Sequence, residues 1–285
     1  MALDILYAFG QVGDIYCHGF FKYIFFEAIN GKYIIRCERS YLTVNRPNVL
    51  NALNGETIVA LKDAFREFQI DDEVRVVILT GTGEKAFIAG ADIKEMKSHS
   101  PSKAIASARR GQDLTNLIEN FPKVVIAAVN GYALGGGCEV AMACHIRVAS
   151  NNAMFGQPEV NLGIIPGWGG TQRLPRLVGK GRAIEMITSG EMISALVAKE
   201  IGLINHVTEP GSLMDKSEEI SKSIIKRGPE AVRLSLEAVN KGLEMTQELG
   251  LEYEANLFGI VFSTEDHAEG AAAFVEKRNP NFKGK

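Results

Sequence analysis

Two short runs, Val74 to Thr80 (VRVVILT) and Lys123 to Asn130 (KVVIAAVN), are apolar almost without interruption. A strand wetted on one face alternates apolar and polar residues, so runs like these belong to strands covered on both faces. The intervening sequence supplies the covers. Glu56 to Gln69 places Ile58, Leu61, Phe65 and Phe68 at helical spacing, and Ala104 to Asn120 is helical in the same sense. Gly135 to Cys144 reads as a glycine-started helix, and Ile146 to Ala149 as a third strand. Strands alternating with helices predict an α/β fold with βα crossovers.

The flanks read differently. Tyr23 to Ile29 and Lys32 to Val44 are rich in β-formers on either side of Asn30-Gly31, a strong hairpin signal. Beyond about residue 212, four stretches have helical periodicity and no convincing strand interrupts them: Leu213 to Lys226, Pro229 to Lys241, Thr246 to Phe262 and Glu265 to Lys277. The expected organisation is an N-terminal extension over residues 1–22, disordered in one reading, then an α/β core over 23–212 and a helical region over 213–285.

Composition removes several classes of function. The chain has 285 residues, 46% of them hydrophobic, which is enough to bury a large core. Its formal net charge of −3 offers no basic field for general nucleic-acid binding. No apolar run is long enough to span a bilayer. Met1 to Phe21 contains no Lys or Arg, so it resembles neither a secretory signal nor a mitochondrial presequence, and a cytoplasmic location is expected. Cys17, Cys37, Cys138 and Cys144 form no C-x-x-C pair and read as reduced thiols. The histidines are scattered without an H-E-x-x-H, so a metal site has no support.

Glycine loops follow both apolar strands. Gly81-Thr82-Gly83-Glu84-Lys85-Ala86 formally fits a dinucleotide fingerprint, but Gly90 breaks the helix that should open there and no acidic residue ends a second strand downstream. Gly179-Lys180 lacks the rest of a phosphate loop, and no G-x-S-x-G is present. The loops Phe87 to Asp92 and Gly131 to Gly137 are more informative. Small residues at strand ends let a ligand approach peptide N–H groups, and the second loop leads into a helix N-terminus that favours negative charge. Two such N–H groups aimed at one point would form an oxyanion hole; singly, either loop is an ordinary tight turn.

Two carboxylates stand in unusual company. Glu139 lies one turn into the glycine-started helix among Val140, Ala141, Met142 and Ala143. Desolvation there would raise its pKa into the range useful to a general acid or base. Glu159 follows Pro158, as in the first turn of a helix. Most glutamates are solvated surface residues, and apolar neighbours weaken that reading much more for Glu139 than for Glu159.

The segment Asn130 to Arg173 (NGYALGGGCEVAMACHIRVASNNAMFGQPEVNLGIIPGWGGTQR) resembles the signature region of the crotonase superfamily, and within it the enoyl-CoA hydratases. The resemblance runs from about Asn45 to the C-terminus and includes NRPNVLNALN, AFIAGADIKEM and FVEKR. It implies a spiral core of repeated ββα units and reversible syn hydration of a 2-trans-enoyl-CoA to a 3-hydroxyacyl-CoA. Ala91 and Gly136 match the family's oxyanion donors. Glu139 matches the carboxylate that activates water, and Glu159 the one that exchanges a proton at C2. Ala89, Asp92, Ile93 and Lys94 match positions near the coenzyme. Phe258, Phe274 and Lys277 match residues that meet it across a subunit boundary, in a homotrimer or a hexamer made of two trimers.

No cofactor is implied, coenzyme A being part of the substrate, nor any nucleic-acid or membrane partner. GIVFSTED leans toward short acyl chains. The alternatives are an enoyl-CoA isomerase or other crotonase-type acyl-CoA enzyme, and a non-catalytic acyl-CoA- or RNA-binding relative, against which the paired glutamates argue. His145 stands where the family usually has an acid and reads as a structural substitution.

Overall fold

The computed structural model describes residues 31–36 and 38–285, the first six by backbone alone. In chain order it runs β1 (Gly31–Arg36), β2 (Glu38–Val44), α1 (Gly55–Ile70), β3 (Val74–Gly81), β4 (Ala86–Ile88), α2 (Ile93–Met96), α3 (Pro101–Glu119), β5 (Val124–Val129), β6 (Tyr132–Leu134) and α4 (Gly136–Ala143). It continues through β7 (Ile146–Ser150), β8 (Met154–Gly156), α5 (Gly170–Val178), α6 (Lys180–Ser189), β9 (Met192–Ser194), α7 (Ala195–Glu200) and β10 (His206–Thr208). Four helices close the chain: α8 (Leu213–Ile225), α9 (Pro229–Gly242), α10 (Gln247–Val261) and α11 (Glu265–Glu276).

The long strands form one sheet, in the order β1-β2-β3-β5-β7-β10, and the short ones a second, in the order β4-β6-β8-β9. Each of β3, β5 and β7 is followed at once by a strand of the other sheet and then by helix, which is the repeated ββα unit that the resemblance implied. The apolar runs behave as their composition requires. Val77, Leu79, Val125, Ala127 and Val129 face the larger core, with Phe65 and Phe68 of α1 and Leu114 and Ile118 of α3. Their alternates Val76, Ile78, Val124, Ile126 and Ala128 face a second core under Leu213, Ile220 and Ile224 of α8. Period-2 alternation thus survives in the direction of the side chains while the composition is apolar on both faces.

Caps agree with the sequence. The Asn54 side chain accepts the Thr57 N–H to start α1, and Ser100 accepts the Lys103 N–H ahead of Pro101 to start α3. The single strand read over Lys32 to Val44 needs correction. β1 pairs antiparallel with β2 so that Arg36 faces Arg39, and Glu38 takes φ 65° at the reversal. The turn therefore falls inside the stretch read as one strand, and Asn30 and Tyr23 to Ile29 lie outside the described residues. Lys32 to Val44 carries no Gly, Asn or Pro before its end, so nothing local marked the reversal. The three-residue strands were also invisible, being too short to display a period. Among the described residues no helix is long and apolar enough to cross a membrane.

One close approach positions the rest. α4 lies on the end of β4 so tightly that a Cβ on Gly137 would overlap the Ile88 carbonyl, leaving room only for glycine. Gly137→Ala is expected to cost about 1–3 kcal/mol or more, although alanine is normally the better helix former. Gly181→Ala in α6, where the added methyl meets nothing within 4 Å, should stabilise by about 0.5 kcal/mol. Denaturant midpoints of the two variants check the contrast, and equal effects would show that the packing at Gly137 yields.

Candidate active site

The site is built from the ends of neighbouring strands. β4 and β6 run parallel, and their exits, Ala89 to Ala91 and Gly135 to Gly136, lie side by side, a Cβ on Gly90 falling 3.3 Å from the Leu134 carbonyl. Leu53 donates to the Gly90 carbonyl at 2.9 Å and accepts the Asp92 N–H at 2.8 Å, in a parallel bridge to Ala91. That pattern consumes the groups flanking Ala91 and turns its own N–H the other way. Gly136 is the first residue of α4, so its N–H has no acceptor within the helix. Gly135 holds φ 50°, which allows the abrupt change from strand to helix.

Glu139, in the first turn of α4, is 1% exposed. Its Oε1 accepts the N–H groups of Trp168 at 2.8 Å and Gly170 at 2.6 Å, leaving Oε2 for other chemistry. Burial pushes its carboxyl up to about 7, assisted by the nearby Glu159 charge and opposed by the Gly170 and Trp168 N–H groups and Arg173. Glu159 sits in a 3₁₀ turn, Pro158–Leu162, half-buried. Its Oε1 would lie 2.9 Å from a Cβ on Gly135, and its buried Oε2 has no partner. Burial raises its pKa as well. Both carboxyl groups thus belong to the start of α4, Glu139 on its first turn and Glu159 against Gly135, each with raised proton affinity and one oxygen without a hydrogen bond.

The remaining expected residues divide into two sets. Ala89 is partly buried and donates to the Leu50 carbonyl at 3.0 Å. Asp92 caps α2, accepting the Lys94 N–H at 3.2 Å, and pairs with Arg46 at 3.3 Å, while Ile93 and Lys94 are exposed beside this corner. Phe258 and Phe274 are 64% and 86% exposed on α10 and α11, and Lys277 ends α11 at φ 56°. These three stand on the outer surface of the C-terminal helices instead of beside the glutamates.

Sequence reading missed the residues that hold Glu139. Gly169 has φ 112° and lies against Arg173, and a Cβ on Gly170 would come within 2.5 Å of Gln157 Oε1 and 3.0 Å of Glu139 Oε1, so both positions are held to glycine beside the carboxylate. Gln157, fully buried, donates to the Gly135 carbonyl at 3.3 Å and leaves its own Oε1 unpartnered. A glycine pair ahead of a helix was the available signal. Cys138 and Cys144 are free, buried thiols, as expected, each pushed up to about 12 by burial.

Fold and site together define a crotonase-type acyl-CoA enzyme, and comparison with known proteins agrees. The family model Enoyl-CoA hydratase/isomerase matches residues 40–285. A short-chain-enoyl-CoA hydratase of Clostridium acetobutylicum is 50% identical over 237 residues, covering 83% of this chain and 91% of that one. A crotonyl-CoA hydratase of Syntrophomonas wolfei is 48% identical over 241 residues, covering 85% and 93%. The crystal structure of an enoyl-CoA hydratase from Bacillus anthracis, 41% identical, superposes with a TM-score of 0.87 over 90% of this chain and all of that one. The chain belongs to the enoyl-CoA hydratase/isomerase family, and its recognition from sequence as an enoyl-CoA hydratase, an enzyme, is borne out.

The raised pKa of Glu139 has a consequence for stability. Its folded value of about 7 lies above the ordinary 4.5, so the folded state holds the proton more tightly. The group therefore favours folding below pH 4.5, and that contribution disappears as pH rises through about 7. Glu139→Gln stays neutral throughout. Its stability relative to wild type should grow by about 3 kcal/mol between pH 4.5 and 8. Urea melts at both pH values test this, and a pH-independent difference would contradict it.

Proposed function

We propose that the chain reversibly hydrates short-chain 2-trans-enoyl-CoA thioesters through its two glutamates and the N–H groups of Ala91 and Gly136. The reading is carried by the placement of Glu139 on the first turn of α4 and of Glu159 against Gly135 at its start, each with one oxygen left without a hydrogen bond. The thioester oxygen gains negative charge as C3 is attacked, and the two N–H groups hold it; losing one such donor costs about 2.7–4 kcal/mol. Glu139 takes a proton from water as the hydroxyl joins C3. Glu159 delivers a proton to C2 on the same face, giving syn addition, and each carboxyl returns to its starting state by exchange with solvent. A positioned acid or base contributes on the order of 10²–10⁴ in rate.

The names of the Clostridium and Syntrophomonas relatives favour a short acyl chain such as crotonyl. Ala89, Asp92, Ile93 and Lys94 form the corner at which the coenzyme would lie. The exposed Phe258 and Phe274, with Phe262 and Val275 also uncovered, support assembly into a homotrimer or a dimer of trimers in which Lys277 meets a neighbour's coenzyme. A cytoplasmic location belongs to the same reading.

Loss of the enoyl-thioester absorbance of crotonyl-CoA tests the proposal. Wild type should make 3-hydroxybutyryl-CoA, with kcat/KM falling as pH drops through about 7. Glu139→Gln and Glu159→Gln should each lose on the order of 10²–10⁴ in kcat. A product with a shifted double bond and no hydroxyl would instead favour an isomerase.

A further inference from the structure

The indole of Trp168 occupies a notch made by two glycines on different helices. A Cβ on Gly111 of α3 would overlap its five-membered ring, and a Cβ on Gly136 of α4 would lie 2.6 Å from its benzo ring. The ring is 7% exposed. Its main chain is fixed at both ends. The N–H donates to Glu139 Oε1 at 2.8 Å, and the carbonyl accepts from Thr115 Oγ1 at 2.8 Å and Arg173 Nη1 at 3.1 Å. Arg173 is itself held by Glu119, at 3.1 Å from Nε and 2.6 Å from Nη2, and by Asn116 at 2.8 Å. α3 thus grips Trp168 through its ring and its carbonyl, while the opposite side of the residue meets both Gly136 and Glu139.

We infer that Trp168 is a positioning residue: its indole is a rigid spacer, braced on α3, that sets the Glu139 carboxylate at a fixed distance from the Gly136 N–H. This rests on the hydratase reading and adds to it a residue that touches neither water nor thioester. The ring is flat and has few torsions, so it resists compression where a flexible side chain would rearrange. Removing it leaves a space beside Gly136 into which residues 167–170 can settle, taking the Trp168 N–H away from the carboxylate. Displacement of a catalytic group by about 1 Å costs on the order of 10²-fold in rate.

The experiment compares wild type with Trp168→Phe, Trp168→Leu and Trp168→Ala on crotonyl-CoA. Three readouts are taken beside Tm: kcat and KM separately, the acid limb of kcat/KM, and the red shift of a dienoyl-CoA chromophore on binding, which reports polarisation by the oxyanion donors. Trp168→Ala should lose on the order of 10²-fold in kcat with KM nearly unchanged. Its acid limb should move to higher pH, since a hydrogen bond favouring the carboxylate is weakened, and the red shift should shrink. Trp168→Phe, which keeps a flat ring, should recover most of the rate, and Trp168→Leu should not.

A folded Trp168→Ala with wild-type kcat, limb and red shift overturns the inference. So does a lower Tm with the limb and red shift unmoved, which would assign the ring to stability alone. If Trp168→Ala does not fold, Phe against Leu decides, and equal rates for those two overturn it. Wild type that fails to hydrate crotonyl-CoA defeats the hydratase reading instead, and the red-shift series still tests the spacer.

Discussion

The approach of α4 to β4 is the contact on which the site depends. With the Ile88 carbonyl pressed against Gly137, the first turn of the helix is pinned at the exit of one short strand and directly after another. That sets the N-terminal end of α4, at Gly136, next to the strand exit that carries Gly90 and Ala91, which no single loop could achieve. It also buries Glu139 on a helix that carries no other charged residue. A buried carboxylate is costly unless its oxygens are hydrogen-bonded. The N–H groups of Trp168 and Gly170 answer that cost on one oxygen only, and the resulting mixture of burial and partial satisfaction holds the group near neutrality, where proton transfer in both directions is feasible.

The large elements were legible because each is written locally. VRVVILT and KVVIAAVN carry their two-sided burial in composition alone, and Ile58, Leu61, Phe65 and Phe68 carry the face of α1 in their spacing. Glu139 stood out for the same reason, a charge in an apolar helix. The second sheet was not legible, since AFI, YAL, MFG and MIS are three residues each and draw their strand character from neighbours distant in the chain. The reversal between β1 and β2 was missed differently: it falls at Glu38, where the backbone adopts a positive φ without glycine.

Residues of the site that act through contacts at long sequence separation were the hardest to see. Trp168 and Gly170 reach Glu139 across about thirty positions of chain and do so with backbone groups, which every residue type possesses. Only the shape of the glycines betrays them. Gly111, isolated within α3, is the seat of an indole ring. At Gly111, Gly136, Gly137 and Gly170, glycine marks a place where another group needs the volume.

His145 insulates one joint of this architecture from solvent acidity. Its Nδ1 accepts the Val125 N–H at 2.9 Å, so its proton resides on Nε2, 3.1 Å from the Glu119 carbonyl. Burial presses its pKa down to about 4. The imidazole therefore keeps one tautomer and no charge across the whole working range, joining β5 to the end of α3 as a peptide-like clip. Glu119 is also the residue that grips Arg173. The clip beside that brace is therefore a neutral hydrogen-bonded contact from mildly acidic to alkaline conditions, and it joins β5 to α3 in the same way throughout.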